Sequence, residues 1–169
     1  MAELSLWLDY YDDIYSDFDS RHYLKRRISE DFLHELRLAT KYKKERAADL
    51  VLLLPPEKRE DASEKIIIDS LKDFFTDQFR MNAEKFRKKL NTGIGLLITG
   101  FAVMAINSFI SFEGFRSFAA TVIKIILEPG GWFLLWLAFD ILFYDLREIR
   151  KERKFFRELS EMNIHFKSS

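Results

Sequence analysis

Three charged side chains stand inside long apolar stretches of this chain: Lys124, Glu128 and Asp140. If those stretches lie in a bilayer, each charge costs about 2.5–3.5 kcal/mol at the membrane centre on insertion scales, so such residues are functional candidates by default. Two kinds of chemistry suit them. Lys124 and Glu128 are four residues apart, share a helix face and can pair. Asp140 falls one turn before a basic flank and can face Lys89 or Arg147. Alternatively, the three charges line an ion or proton path. The plainer reading is that Lys124 and Asp140 snorkel to opposite interfaces. One helical hairpin cannot enclose a pathway, so the conducting reading requires an oligomer.

A second set of candidates is the acidic, aromatic segment DYYDDIYSDFDSR, residues 9–21. Asp13, Asp17 and Asp19 offer oxygen ligands for a hard cation. The EF-hand spacing fails, because no glycine makes the turn and no glutamate closes the loop. A structural cap is the simpler expectation, with Asp17 and Asp19 pairing Arg21, Arg26 or Arg27. A docking segment for the basic flank of another copy is the third. His22, His34 and His165 are scattered, and His34-Glu35 does not continue as HExxH. There is no GxSxG, P-loop or GxGxxG motif, and Gly93-Ile94-Gly95 lacks a third glycine. The chain has no cysteine, which excludes disulfides, thiolate metal sites and cysteine catalysis. No catalytic, cofactor-binding or metal residue is therefore assigned, and an enzyme is not expected.

The elements that must position these residues follow from the distribution of charge. Formal net charge is zero, which argues against general nucleic-acid binding. Thr92 to Phe112 carries no charge at all. At about 1.5 Å per residue, a helix of about 20 apolar residues crosses the hydrocarbon core. Gly93, Gly95 and Gly100 within it would let a second helix approach closely. Phe118 to Tyr144 is long enough to return, but Pro129 lacks an amide donor and Gly130-Gly131 adds freedom, so a break is expected at 128–131: either one long helix, tilted and kinked there, or an oblique first piece at 118–127 followed by a second helix from near Gly131. The basic residues at 80–89 and 147–157 place both flanks in the cytoplasm by the positive-inside rule. The first fifteen residues have no basic n-region or apolar core, so they are not a signal peptide. Trp132, Trp136 and Tyr144 are of the type that anchors at interfaces.

The remaining sequence reads as a small α+β region. Ser29 followed by Glu30-Asp31 marks a helix start, with Phe32, Leu33, Leu36 and Ala39 as its apolar stripe. Residues 50–54 form a short apolar run stopped by Pro55-Pro56, which suits a buried strand. Asp61 and Glu64 resemble a capping box. The helix they open has no breaker before Asn91 and should run on to about 112. Residues 145–158 suit an amphipathic helix, with Leu146, Ile149, Phe156 and Leu159 inward. Residues 162–166 alternate as a strand that can pair with 50–54.

Four segments together carry a resemblance: DDIYSDFDSR (12–21), ISEDFLHELRLA (28–39), LVLLLPPEKRE (50–60) and GGWFLLWLAFDILFYDLREIRKERKFF (130–156). They resemble an uncharacterised group of small prokaryotic two-span membrane proteins with SDFDPR-like, ELRLLVP-like and GW…W…LYDWWPIR-like motifs. The resemblance touches most of the chain and implies no particular activity. Ser20 stands where the group has proline, and Leu146-Arg147-Glu148 replaces the WWP-like piece. The expected architecture is thus a mainly α membrane protein. It has a cytoplasmic α+β region at 1–91, a transmembrane hairpin at 92–144 (spans 92–112 and 118–144), and a cytoplasmic helix and strand at 145–169. The expected role is a structural or interaction module in the cell membrane, with both termini cytoplasmic. It would sit in the lipid bilayer as a homo-oligomer, with a protein partner possible, and without cofactor or nucleic acid. An ion-transport subunit and an accessory subunit of a larger membrane complex are the alternatives.

Overall fold

The computed structural model describes residues 3–19, 26–42, 47–114 and 117–168. Chain order is β1 (Glu3–Trp7), a 3-10 turn (Tyr11–Ile14), α1 (Glu30–Tyr42), β2 (Asp49–Leu54), α2 (Asp61–Phe112), α3 (Phe118–Asp140), a π turn (Ile141–Asp145), α4 (Leu146–Glu161) and β3 (Asn163–Ser168). Most residues are helical, two helices are long and apolar, and the strands form one small sheet. Contacts divide the chain into two compact units: residues 1–80 with 153–169, and residues 81–152.

In the first unit, β2 pairs with β1 on one side and β3 on the other, all three parallel. Parallel neighbours need crossover connections, here made through α1 and through the long helices. The 50–54 run is a strand and does pair with the C-terminal strand, as the alternation implied. β1 is an addition that the sequence reading missed. Its signal was there, in the alternation Leu4, Leu6, Leu8. In register, Leu4, Leu50 and Ile164 stand abreast, followed by Leu6, Leu52 and Phe166. These side chains join Phe32, Leu33 and Leu36 of α1, Ile67, Leu71 and Phe75 of α2, and Phe156 and Leu159 of α4 in one core. Burying each large aliphatic or aromatic side chain stabilises by about 1.5–3 kcal/mol, and that is why these helices settle on this sheet face. Ser29 starts α1 as expected, its Oγ accepting the Asp31 amide at 3.2 Å.

In the second unit, α2 pairs antiparallel with α3 and the π turn in a constant register. A Cβ added at Gly93 would meet Leu142 at 2.7 Å, one at Gly100 would meet Leu135 at 2.9 Å, and one at Gly131 would meet Met104 at 2.7 Å. Each step of seven or four residues along one helix matches an equal step back along the other. Small residues are what let the backbones come this close. Gly95, by contrast, faces open space and is not a packing residue. It lies just over half a turn from Gly93, on the other side of the helix.

Of the two geometries expected at Glu128–Gly131 the structure has the single long helix, and the helix break at Pro129, Gly130 and Gly131 is corrected. α3 runs through Pro129 without a change of helix type, and the irregularity falls later, at Ile141–Asp145. Proline removes one donor and leaves the rest of the ladder intact, and neighbouring helices and local adjustments support the freed group in apolar helices. Here Gly131 packs on Met104 and Val103, holding the chain in helical form just beyond the missing bond. The glycine read as a source of freedom is in fact a point of close approach. The π turn leaves Ile141 buried and Leu142 half-buried against α2.

Replacement of Gly100 or Gly131 by valine should therefore cost about 1–3 kcal/mol through overpacking, whereas Gly95→Val should cost much less. Thermal unfolding of the purified variants in one detergent checks this ordering, and equal losses at Gly95 and Gly100 would contradict it.

Candidate functional site

Two polar constellations are built by this fold. The first sits in the sheet unit, where β1 and β3 end and α2 begins. Arg59 holds Glu64 in a two-pronged ion pair, Nε to Oε1 at 2.7 Å and Nη2 to Oε2 at 3.0 Å. The Tyr11 hydroxyl donates to Glu64 Oε1 at 3.1 Å and accepts the Glu60 amide at 2.8 Å. Arg59 also donates to Ser168 Oγ at 3.1 Å and to the Phe166 carbonyl at 3.5 Å. The Tyr11 ring stands edge-on to Phe166 at 5.5 Å. The 3-10 turn, the start of α2 and the end of β3 are thus tied together through one carboxylate. Such fork-to-fork pairs are stronger and more directional than neutral hydrogen bonds.

This corrects the capping-box expectation. Asp61 is already the first helical residue, and Glu64 turns away from the helix start toward Arg59. The Arg59 hydrogen bonds hold the Glu64 carboxyl below the usual carboxylate range, against burial, which pushes it up. The hydrogen bond to Glu64 raises Arg59 above its ordinary value. Burial raises the Tyr11 phenol. Both Glu64 oxygens are engaged, so the cluster acts as a clamp and leaves no free nucleophile or base.

The acidic segment preceding it is a cap as well, but with other partners than expected. Asp13 Oδ2 accepts the Asp9 and Tyr10 amides at 2.8 and 2.9 Å. Asp12, not Asp17, takes the ion pair with Arg26. Asp19 Oδ2 accepts the Arg27 amide at 2.9 Å. Arg21 and His22 lie outside the described residues. Among the described residues no group of three His, Asp or Glu side chains converges as a metal site.

The second constellation lies on the apolar helices. Glu128 and Asp140 are exposed and Lys124 is half-buried. No ion pair joins Lys124 to Glu128 among the described residues, although the spacing allows one. Lys precedes Glu here, the weaker of the two orientations for a four-residue pair. Lys89 does not meet Asp140. It pairs with Asp145 at 2.6 Å, because the hairpin register brings those two level. Asp140 instead lines a groove of about 570 Å³ with Trp136, Phe139, Phe143, Tyr144 and Arg147. A more polar groove continues from Tyr144 and Arg147 to Lys151 and Glu152. The surface thus turns from apolar to charged near Tyr144. Asn107 Oδ1 is buried with no hydrogen-bond partner. Continuing the register from Met104–Gly131 puts Asn107 level with Glu128, and Ser111 level with Lys124. Asn107 was not singled out in the sequence. Its single sign was an amide within an uncharged run.

No family model, no curated protein and no solved structure matches this chain.

The clamp makes a pH prediction. Glu64 has a lower pKa folded than unfolded, so the folded state binds fewer protons there. Its contribution is fully present above the ordinary carboxylate value of the unfolded chain and is lost as pH falls through the lower folded value. Glu64→Gln should lower stability at pH 7 by about 1–3 kcal/mol and remove this acid-sensitive part. Melting temperatures of both proteins between pH 7 and pH 3 check this: the gap should narrow with acid, and a constant gap would contradict it.

Proposed function

We propose that this chain is a small integral membrane protein in which a two-span hairpin anchors a parallel α+β domain that serves as an interaction module. The observation that carries this reading is the outer surface of the hairpin. The two helices pack on one another along a narrow glycine seam, yet Ile98, Phe101, Phe109, Phe133 and Trp136 all remain more than half exposed. Only 11% and 17% of the two most apolar windows is buried within the chain. The core helix of a water-soluble protein would be covered. Large contiguous apolar surface of this kind marks a membrane or a partner.

Length and charge support the bilayer as the cover. The uncharged run of α2, residues 92–112, has about the length needed to cross the hydrocarbon core. Lys89 and Asp145 meet at one end of the apolar stretch, next to the basic residues of both flanks. The positive-inside rule then places that end, and both chain termini, in the cytoplasm. Glu113-Gly114 falls at the other end, where Gly114 adopts a positive φ of 68° that suits a tight turn. The fully partnered clamp around Glu64 supports an interaction role rather than catalysis. A homo-oligomer in the cell membrane is part of this proposal.

Membranes carrying the protein should retain it in the pellet after alkaline carbonate extraction, and release into the supernatant would contradict the reading. Reconstituted liposomes should show no ion leak above empty vesicles. A leak that Glu128→Gln abolishes would favour the ion-conducting alternative instead.

A further inference from the structure

Asp140 and Arg147 are opposite charges that the hairpin leaves open in one groove. They line it together with Trp136, Phe139, Phe143 and Tyr144. Among the described residues neither side chain has an ion pair or a hydrogen bond, and they do not pair with each other. All six lining residues are exposed and recur at three- and four-residue spacing. Leu135, Ala138, Ile141 and Leu146 of the same stretch are buried. The π turn Ile141–Asp145 lies between the two charges, and such widened turns often occur at functional sites. Asp140 ends the 23 residues of α3, a rise of about 33 Å, so it lies at the cytoplasmic edge of the proposed span. Arg147 follows two turns later, about 10 Å further toward the cytoplasm. Side chains on a helix lean toward its N-terminus, so the long Arg147 side chain reaches back along the groove. From the bilayer outward, the groove therefore offers aromatic rings, then a carboxylate, then a guanidinium.

We infer that this groove binds a single-chain phospholipid, with its phosphate on Arg147 and its free glycerol hydroxyl donating to Asp140. The inference rests on the membrane reading above. The order of groups along the groove selects the ligand. From the bilayer outward, such a lipid presents an apolar chain, a hydroxyl and a phosphate. The rings of Trp136, Phe139 and Phe143 suit the chain, and aromatic residues are at home at this depth. A guanidinium matches phosphate through two parallel hydrogen bonds, and basic pockets on the cytoplasmic side of membrane helices bind phosphate headgroups. An ionised carboxylate only accepts hydrogen bonds, so Asp140 needs a donor at the glycerol level. A two-chain phospholipid has ester oxygens there, which also only accept, and Asp140 repels them. A single-chain phospholipid keeps one hydroxyl, which donates. The opposite assignment, an ammonium on Asp140 and a phosphate on Arg147, fails on order. It would hold the amine of a zwitterionic headgroup deeper than its own phosphate.

The test titrates the full-length protein in a maltoside detergent with oleoyl lysophosphatidic acid and reads the bound lipid by native mass spectrometry. Two comparison lipids are the analogue that lacks the glycerol hydroxyl and dioleoyl phosphatidic acid, which has it esterified. The wild-type protein should bind one lysophosphatidic acid and hold each comparison lipid about tenfold more weakly. Arg147→Gln should weaken the lysolipid and its deoxy analogue alike, by about tenfold. Asp140→Leu should bring the lysolipid down to the level of the deoxy analogue and leave the affinity for that analogue unchanged. The unchanged analogue shows that the variant is folded. Equal binding of all three lipids by the wild type overturns the proposal without any variant. An Asp140→Leu protein that loses both single-chain lipids equally also overturns it, because the carboxylate is then structural. Displacement of the lipid by inorganic phosphate overturns it in favour of a site for the free anion. A carbonate-resistant protein that binds no lysolipid overturns the site and leaves the membrane reading standing. A protein that carbonate extracts overturns both.

Discussion

The apolar exterior of the hairpin is the constraint on which the rest of this structure depends. α2 and α3 bury their small residues against one another and turn their large ones outward. That inversion is what a helix pair shows when its surroundings are as apolar as its interior. Association then relies on close backbone approach rather than on exclusion of water. Gly93, Gly100 and Gly131 make the approach possible, and their spacing sets a register. The register in turn brings Lys89 to Asp145 and puts Asn107 level with Glu128. The polar pair at one end is a consequence of that alignment.

The sheet unit obeys the opposite rule. Its core gathers large apolar side chains on the sheet, and both oxygens of the Glu64 carboxylate are partnered. All the helices of its core meet one face of a parallel sheet, and β2 lies buried between its two neighbours. The Arg59–Glu64–Tyr11 clamp fastens the ends of this layer where β3, the 3-10 turn and α2 meet. One carboxylate accepts from two different elements, so loss of its charge loosens several at once. The two units therefore differ in what holds them: hydrophobic burial and satisfied hydrogen bonds in one, tight contact between small residues in the other.

Much of this was legible in the sequence, and the exceptions have physical causes. The uninterrupted course of α2 followed from the absence of any breaker, and the pairing of β2 with β3 followed from one short apolar run and one alternating run. β1 escaped because its alternation is brief and lies next to an unusual acidic segment. Pro129 was misread because local propensity was weighed without the neighbour that packs on Gly131. Glycine in an apolar helix has two meanings, freedom and close approach, and only the partner helix separates them. Thus Gly93 and Gly100 pack while Gly95 does not. The clamp was invisible because Tyr11, Arg59 and Ser168 are far apart in the chain and no periodicity links them. Lys124, Glu128 and Asp140 were found at once, since a charge in an apolar run is conspicuous, but their partners were not.

The central claim is that the hairpin crosses a bilayer and returns. The most direct measurement is labelling of single cysteines by an impermeant maleimide in intact cells and after permeabilisation. The account predicts that Glu113→Cys, in the turn between the apolar helices, reacts in intact cells. It predicts that Lys167→Cys, on β3, reacts only after permeabilisation. The reverse pattern would contradict the orientation. Reaction of both sites only after permeabilisation, or of both before it, would contradict the crossing itself.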